Sequence, residues 1–305
     1  MEAKNKATEK RTLTVLVTGS KGQLGSELRR LSKENKFAFC RFLFADLDVM
    51  DICNQAEVRA YFMEHQIDVL VNCAAYTAVD KAEMEADLAY AINRDGVAIL
   101  ANCCKDMDVF MIQISTDYVF DGTNMEPYGE EDIVGPIGVY GLSKRAGEEA
   151  MMQQKVNGLI IRTAWLYSSF GHNFVKTMLK LSKERDDVHV VADQYGTPTW
   201  AKDLADVILT VLSKIEVKNK KGVEIYHYTN EGECSWYDFA VAIMQLSRAR
   251  CDVDPIETKD YPTSCKRPAY SVLNKTKIKN DFGLEIPSWH VSLENMLKDL
   301  ETLSV

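Results

Sequence analysis

Short apolar runs alternate with stretches of helical periodicity over roughly the first 165 residues, and this alternation constrains the fold more than any other feature. The apolar runs lie at 13–19, 37–48, 67–75, 109–116 and 158–167. The helical stretches lie at 23–32, 56–65, 86–107 and 139–154. Strands that are apolar along their whole length and separated by helices indicate a parallel sheet with both faces covered. We therefore predict a doubly wound α/β sheet with right-handed crossovers.

The remainder of the chain has a less regular pattern. Four helical stretches lie there, separated by short strands and by loops that contain proline, such as GTPTW at 196–200. We predict that residues 12–167 form the domain built on the parallel sheet. Residues 168–305 are expected to form a smaller, mostly helical lobe, some of whose segments return to the first sheet.

The charge and hydropathy of the chain exclude several classes of function. The 305 residues carry a net charge of −9, and the pI is about 5.2. An acidic protein lacks the basic face that neutralises phosphates, so we expect no nucleic-acid partner. No apolar run is long enough to span a bilayer, so we expect no membrane partner. Residues 1–11 are charged and contain no apolar signal core, which predicts a cytoplasmic location.

Eight cysteines are distributed along the chain, and none forms the C-x-x-C pair of a zinc site. Cys103 and Cys104 are adjacent, which suits a disulfide framework poorly, and other cysteines lie in apolar runs such as VLVNCAAY. We predict buried, reduced thiols, as is usual in a cytosolic protein.

Three glycines, Gly19, Gly22 and Gly25, stand between the first predicted strand and the first predicted helix, in VLVTGSKGQLG. Glycine permits a tight turn there and lets the backbone approach a pyrophosphate at the positive end of the helix. The alternative is a glycine-rich turn that binds nothing. The preceding strand and the following helix favour a dinucleotide site.

An acid often follows the second strand of a dinucleotide-binding fold, where it binds the hydroxyls of the adenosine ribose. Asp46 stands at that place, with Asp48 as an alternative. A carboxylate there repels a ribose phosphate, which favours NADH over NADPH. Both acids are equally compatible with solvated loop charges, so the preference stays open between NADPH and NADH.

Four polar side chains follow the fourth predicted strand: Ser115, Thr116, Asp117 and Tyr118. The carboxyl edge of a doubly wound sheet is where ligands bind. These residues therefore either cap the strand or place a hydroxyl near a reacting carbonyl. We assign the hydroxyl to Thr116.

Tyr140 and Lys144 are four residues apart in a predicted helix, so they share one face. By itself this spacing is also typical of a surface pair. A phenol has a pKa of about 10, and a nearby cation makes it a better acid. Such a pair can protonate a carbonyl oxygen, while the hydride comes from a cofactor. With the glycine loop and Thr116, the pair predicts a carbonyl reductase.

The chain resembles the extended short-chain dehydrogenase/reductase family, and within it the group of dTDP-4-dehydrorhamnose reductases. The stretches that carry the resemblance are VLVTGSKGQLGSEL, VLVNCAAYTAVDKAE, STDYVFDGTNMEPYGEED, VYGLSKRAGE, RTAWLY, NFVKTML, VVADQYGTPTWAKDLA and KRPAYSVLN. The resemblance implies a Rossmann-like fold and reduction of the 4-keto group of dTDP-4-dehydro-β-L-rhamnose by NADPH or NADH. Such a reaction belongs to nucleotide-sugar and cell-surface polysaccharide biosynthesis.

The resemblance also implies roles for single residues. Tyr140 would donate the proton, Lys144 would lower its pKa and bind the nicotinamide ribose, and Thr116 would tune the transfer. Implied cofactor contacts are Gly22, Gln23 and Leu24 at the pyrophosphate, Asp51 and Ile52 at the adenine, and Ala74, Ala75 and Tyr76. Implied substrate contacts are Thr116, Asp117, Tyr118 and Trp165, with Arg267 on the diphosphate because arginine suits bidentate phosphate recognition.

Two positions depart from the family pattern. Leu47 stands where many relatives have a basic residue, which weakens a strict NADPH assignment, and Tyr195 stands where relatives often have arginine. Some members bind magnesium at a dimer interface through C-terminal acids. Glu294, Asp299 and Glu301 are available here, but acids on an amphipathic helix usually form its solvated face, so we predict no metal.

Two other functions remain as alternatives to a reductase of a nucleotide-sugar substrate. One is a non-catalytic regulatory subunit of the methionine adenosyltransferase type, and the other is a reductase or epimerase of another nucleotide sugar. A regulator has no need of the substrate side, whereas this chain retains Trp165 and the segment 76–83. A homodimer is compatible with the sequence.

Overall fold

The computed structural model describes residues 12–214 and 221–303, so residues 1–11, the stretch without a signal core, lie outside the described residues. The strands are β1 Leu13–Thr18, β2 Cys40–Phe44, β3 Val69–Asn72, β4 Phe110–Thr116, β5 Gly158–Thr163, β6 Leu166–Tyr167, β7 Asp187–Val191, β8 Tyr195–Gly196, β9 Thr199–Trp200, β10 Val223–His227, β11 Cys234–Ser235 and β12 Asp252–Ile256. The helices are α1 Gln23–Leu31, α2 Gln55–His65, α3 Val79–Ala82, α4 Ala86–Tyr90, α5 Val97–Asp106, α6 Val139–Gln153, α7 Phe174–Leu181, α8 Ala201–Lys214, α9 Trp236–Ser247, α10 Thr276–Phe282 and α11 Trp289–Leu303.

Six strands form the central sheet, in the order β10-β5-β4-β3-β1-β2. Every neighbouring pair is parallel, and Val17 lies opposite both Phe44 and Val71. The predicted doubly wound parallel sheet is therefore confirmed. β2 lies on one side of β1, and after β2 the chain crosses to β3 on the other side of β1. A topological switch point therefore lies between β1 and β3.

Helices cover both faces of this sheet, because successive strand residues point to opposite sides. Val15 and Val17 of β1 pack in a core with side chains of α1, α8 and α10, whereas Leu16 between them packs in a core with α2, α5 and α6. Both cores are nearly closed to solvent. The strands are apolar along their whole length because helices cover both faces of the sheet, as their pattern predicted.

All five predicted strands extend past the observed ones, most of all the runs 37–48, 67–75 and 158–167. The run 37–48 contains only β2, and Phe37 instead ends a short 3₁₀ turn from which it packs in the core. The run 158–167 ends as β5 at Thr163, because Trp165 has a φ of 45° that interrupts the extended backbone. The following pair, β6, joins β9 outside the central sheet. Apolar runs continue past these strand ends because turn residues are also buried.

The C-terminal part contributes to two structures. Its α8 and β10 belong to the central sheet and the helices covering it, while α7, α9 and α11 surround a separate core that includes Val175, Phe239 and Leu293. The capping box of α9 forms between Ser235 and Asp238. A domain boundary between residues 167 and 168 stays a prediction.

All eight cysteines lie within the described residues and are unpaired, and five of them are buried. Burial raises the pKa of Cys73, at the end of β3, to about 12, so its thiol is protonated at neutral pH. Among the described helices, none combines the length and apolarity needed to cross a membrane.

Candidate active site

A cleft of about 790 Å³ opens at the carboxyl ends of β1, β3, β4 and β5, and the C-terminal part supplies its other side. Its size is typical of a small-molecule site. The sequence-predicted residues that line it are Gly19, Gly22, Gln23, Leu24, Gly25, Asp46, Asp51, Ile52, Ala74, Ala75, Thr116, Asp117, Tyr118, Tyr140, Lys144, Trp165 and Arg267. Side chains that are distant in sequence therefore meet at the switch point of the sheet.

The glycine loop forms a cradle between β1 and α1. Gly19 has a φ of +61°, and a Cβ there would lie 2.6 Å from the backbone nitrogen of Ala74. A Cβ on Gly25 would lie 2.5 Å from the carbonyl oxygen of Gly19. Helix α1 begins after Gly22 without a side-chain cap. This arrangement leaves room for a phosphate beside the positive end of the helix dipole.

The adenosine side of the cradle is held by acids. Asp46 accepts hydrogen bonds from the backbone nitrogens of Lys21 at 2.9 Å and Leu47 at 3.0 Å, so its carboxylate fixes the loop. The Lys21 ammonium lies 2.8 Å from Asp48 on the exposed surface. Sequence reasoning did not assign Lys21, although it stands inside the glycine motif. Both an acid and a cation therefore flank the position expected for the adenosine ribose.

The three proposed catalytic side chains are buried together. Tyr140 is 9% exposed, Lys144 is 5% exposed and both project from α6, while Thr116 ends β4. The Lys144 ammonium donates a hydrogen bond to the carbonyl oxygen of Ile114 at 2.7 Å. Thr116 donates to Asp117 at 3.0 Å. The strand end and the helix thus present a phenol, a hydroxyl and an ammonium to one cleft.

Burial shifts the acidity of both members of the Tyr–Lys pair. Desolvation raises the pKa of Tyr140 far above its usual value, and a hydrogen bond with Thr116 opposes this effect. Nearby Asp117 and Tyr118 raise it further. Desolvation lowers the pKa of Lys144 to about 8, against the attraction of Glu148. The phenol is accordingly protonated at neutral pH and can act as a proton donor.

Asp117, Tyr118 and Arg267 form the next layer of polar groups. Burial raises the pKa of Asp117 to about 6 and that of Tyr118 to about 12. Arg267 donates to the Tyr118 hydroxyl at 2.9 Å and to Asp80 at 2.6 Å. The Tyr118 ring packs edge to face on Tyr140 with centroids 5.5 Å apart. The arginine is thereby connected to the proton donor through one aromatic ring.

An aromatic stack forms another wall of the cleft. Trp165 lies parallel to Trp236, with ring centroids 3.6 Å apart, and Phe174 packs beside Trp236 at 4.7 Å. A Cβ on Gly196 would lie 2.6 Å from the Trp165 ring, so glycine is required behind it. Sequence reasoning missed Trp236, since only its place at the start of an amphipathic helix was visible.

Tyr76 is the one predicted site residue whose side chain the structure places away from the cleft. Its hydroxyl donates to Glu85 at 2.5 Å, which raises its pKa to about 12. Its backbone is held by Asn93, which also donates to Ser143 at 3.0 Å. Asn93 lies in a π-helical turn, Ala91–Gly96, between α4 and α5. Such turns are frequent at functional sites, but no pattern along the chain indicated this one.

A buried ion pair behind α6 also escaped sequence reasoning. Glu148 receives hydrogen bonds from Arg162 of β5 at 2.9 and 2.8 Å, and both side chains are almost fully buried. Burial alone would raise the pKa of Glu148, but Arg162 and its other donors hold it below the usual range. His227 of β10 completes the group at 3.4 Å from Arg162. The pair ties α6 to the sheet one turn beyond Lys144.

Two of the three acids considered for magnesium, Asp299 and Glu294, have other partners. Asp299 accepts from Arg30 at 2.6 Å and from Ser169 at 2.6 Å, while Glu294 pairs with Lys298 at 2.6 Å. These contacts tie α11 to α1 and support the helix itself.

A doubly wound sheet with a glycine cradle at its switch point and a buried Tyr–Lys pair beside it defines a Rossmann-type, dinucleotide-binding oxidoreductase. The chain matches the family model of the RmlD substrate binding domain over residues 13–302. It therefore belongs to the family of dTDP-4-dehydrorhamnose reductases, and the predicted family and enzyme class are confirmed.

Individual relatives agree with this assignment. A dTDP-4-dehydrorhamnose reductase of Aggregatibacter actinomycetemcomitans is 41% identical over 288 residues, covering 92% of this chain and 97% of the relative. A crystal structure of such a reductase from Clostridium acetobutylicum has a TM-score of 0.88 at 41% identity, covering 95% of this chain and 100% of that chain. One from Bacillus anthracis, in complex with NADP, has a TM-score of 0.88 at 36% identity, covering 94% and 99%.

Proposed function

We propose that this protein reduces the 4-keto group of dTDP-4-dehydro-β-L-rhamnose to dTDP-L-rhamnose with NADPH or NADH. The observation that carries the proposal is the burial of Tyr140 and Thr116 in the same cleft as the glycine cradle. A proton donor and a dinucleotide site are the two parts that carbonyl reduction requires. Trp165 and Arg267 lie in that cleft as well and offer contacts to a nucleotide sugar.

The glycine loop fits a dinucleotide because it turns tightly at the start of α1, where side chains at Gly19 or Gly25 would collide with neighbouring backbone atoms. Gly22, Gln23 and Leu24 would hold the pyrophosphate at the start of α1. The Gln23 amide also donates to the carbonyl oxygen of Leu166 at 3.4 Å. The nicotinamide, when bound, supplies the hydride.

Tyr140 gives its proton to the carbonyl oxygen of the sugar as that oxygen becomes an alkoxide. Burial keeps the phenol protonated at neutral pH before the reaction. Lys144 lies one helical turn away, and its charge stabilises the phenolate that remains after transfer. Thr116 binds Tyr140 and contacts the sugar, because its hydroxyl can both donate and accept.

The substrate side has a charged group and a flat apolar surface. Arg267 suits the diphosphate, since guanidinium binds phosphate oxygens through paired N–H groups. Trp165, backed by Trp236, offers an indole face to the base or the sugar. Asp117 and Tyr118 contact the sugar beside the reacting carbon.

Replacing Tyr140 by Phe tests the assignment directly. We expect kcat to fall by about 10²- to 10⁴-fold, because the general acid is lost. NADPH binding, followed by fluorescence titration, should be nearly unchanged. The assay is the oxidation of NADPH at 340 nm with dTDP-4-dehydrorhamnose. Turnover within tenfold of the wild-type protein would contradict the role of Tyr140, and an inactive wild-type protein would contradict the proposed reaction.

The same preparation separates the alternatives. A regulatory subunit would bind the dinucleotide without turnover, and an epimerase would be purified with NAD bound. The relatives described above are named as reductases, and none as a regulator. The cytoplasmic location and the homodimeric state stay predictions, to be tested by cell fractionation and by light scattering after size-exclusion chromatography.

A further inference from the structure

The short helix α3 lies between two parts of the proposed site. Ala82 of α3 is fully buried in a small cluster with Tyr140, and Val79 packs against the same cluster. Two acids of this segment, Asp80 and Glu83, bind different neighbours. Both belong to the YTAVDKAE stretch, and the proposed reaction mechanism gives neither of them a task.

Asp80 holds the loop that carries Arg267. One carboxylate oxygen accepts the backbone N–H of Cys265 at 3.2 Å, and the other accepts from the Arg267 guanidinium at 2.6 Å. Tyr118 accepts from a second guanidinium nitrogen at 2.9 Å. A guanidinium has five N–H groups, so two contacts leave donors for an anion. The Arg267 side chain is 22% exposed and lines the cleft, and its two contacts restrict its orientation.

Glu83 holds the start of the helix that carries Tyr140. Its carboxylate accepts the backbone N–H of Val139 at 2.8 Å, directly before Tyr140. The preceding Gly138 provides no side-chain cap, and a Cβ there would lie 2.9 Å from the same carboxylate. A carboxylate at this position satisfies a terminal N–H and complements the helix dipole.

We propose that Asp80 and Glu83 are positioning residues with separate tasks. Asp80 orients Arg267 toward the diphosphate of the nucleotide-sugar substrate, and Glu83 fixes the N-terminus of α6 and thereby the hydroxyl of Tyr140. The proposal rests on the proposed function and adds a specificity element to the same site. One rigid turn then sets the distance between the anion-binding group and the proton donor.

The two tasks predict different kinetic changes. In Asp80→Asn, KM for the nucleotide sugar should rise about tenfold, with kcat within twofold and KM for NADPH unchanged. In Glu83→Ala, kcat should fall at least tenfold, with both KM values within twofold. Glu83→Gln should recover most of kcat, because its amide oxygen can still accept the Val139 N–H.

Lys81→Ala is the matched control, since Lys81 is exposed in the same helix and should retain wild-type kinetics. If both acid variants show equal decreases in kcat, equal increases in KM and equal decreases in Tm, the turn only supports the fold. That result would overturn the proposal. Wild-type kinetics in both variants would overturn it as well.

A binding experiment separates this proposal from the proposed reaction. Calorimetric titration with dTDP needs no turnover, and Asp80→Asn should bind it about tenfold more weakly than wild-type or Lys81→Ala protein. Equal affinity in Asp80→Asn and wild-type protein would refute the role of Asp80 even if the reductase assay succeeds. If the wild-type protein fails as a reductase but the affinity difference is found, only the proposed reaction is wrong.

Discussion

Tyr140, Lys144 and Asp117 are ionisable side chains that the fold buries at one end of the cleft, with exposed fractions of 9%, 5% and 1%. Removing each from water shifts its pKa toward the neutral form. Burying an ionisable group lowers the free energy of unfolding. Proteins retain such groups at sites where a reaction needs their shifted pKa. These three side chains therefore affect both the activity and the stability of the protein.

The pKa of about 8 for Lys144 predicts the pH dependence of the reaction. As pH rises through 8, the ammonium loses its proton and the phenolate of Tyr140 loses its nearby cation. The kcat/KM for NADPH should therefore fall above pH 8 by up to tenfold per pH unit. In Lys144→Arg the guanidinium stays protonated, so this decline should disappear, whatever the rate at neutral pH. A decline at the same pH in both proteins would assign it to another group.

Asp117 predicts a linkage between pH and stability. Its folded pKa of about 6 exceeds the ordinary value of 3.8, so its contribution to stability is fully present below pH 4 and is lost as pH rises through 6. Asp117→Asn should therefore raise the free energy of unfolding by about 3 kcal/mol above pH 6, and by less as pH falls toward 4. Urea unfolding at pH 5 and pH 7.5 measures this.

Asp121 serves as the control for that experiment. A backbone hydrogen bond from Thr123 holds the pKa of this carboxylate below its usual range. Its ionised form therefore stabilises the folded protein at neutral pH, and Asp121→Asn should not stabilise it. Stabilisation of both variants, or an effect of Asp117→Asn that does not depend on pH, would contradict the assignment.

At the scale of single elements, α6 determines the position of the site because it packs unusually closely against its neighbours. A Cβ on Gly141 would lie 2.2 Å from the carbonyl oxygen of Tyr118, and one on Gly147 would lie 2.1 Å from that of Asn93. Ser143 accepts from Asn93 between these two glycines. Because Gly141 and Gly147 have no side chains, α6 can pack directly against the backbone of the π-helical turn and of the segment after β4.

Gly147→Ala tests this packing. Alanine favours an isolated helix by about 1 kcal/mol over glycine. Here the added methyl group meets a backbone oxygen, and we expect a net loss of about 2 kcal/mol in the free energy of unfolding. Gly129→Ala is the control, because its nearest neighbour would be Asp132 at 3.8 Å and stability should be nearly unchanged. A stabilising Gly147→Ala variant would show that α6 can move.

At the scale of the whole molecule, the C-terminal part completes the sheet that precedes it. β10 pairs with β5 along five residues, and α8 supplies Leu204, Ile208 and Leu212 to the core on the α1 side. Trp236 of the same part backs Trp165 at the cleft. Residues beyond 167 thus supply the edge strand of the central sheet, β10, and the helix α8 that covers part of one face.

A fragment of residues 1–167 should therefore fail to fold cooperatively, because β5 becomes an edge and one apolar face loses α8. Circular dichroism during urea titration should show a broad transition, compared with a sharp one for the full chain. A sharp transition with native-like helix content would instead support an autonomous domain ending at residue 167.

The sequence by itself determined which segments are strands and helices in the first half, and which stretches carry the chemistry. Burial on both faces of a parallel sheet leaves an uninterrupted apolar run, and a glycine loop or a Tyr-x-x-x-Lys helix is a local pattern. Each of these patterns involves residues that are close together in the sequence, so each can be recognised from the sequence alone. Strand ends were less visible, as Phe37 and Trp165 show, because buried turn residues are also apolar.

Only the tertiary structure decided which distant side chains meet. Asp80 and Arg267 are 187 positions apart, and neither has a local pattern that predicts the other. The stack of Trp165 on Trp236, and the turn of the Tyr76 hydroxyl toward Glu85, were equally invisible. Such contacts depend on how the elements dock, and docking is set by the summed packing of many residues, which no spacing along the chain records.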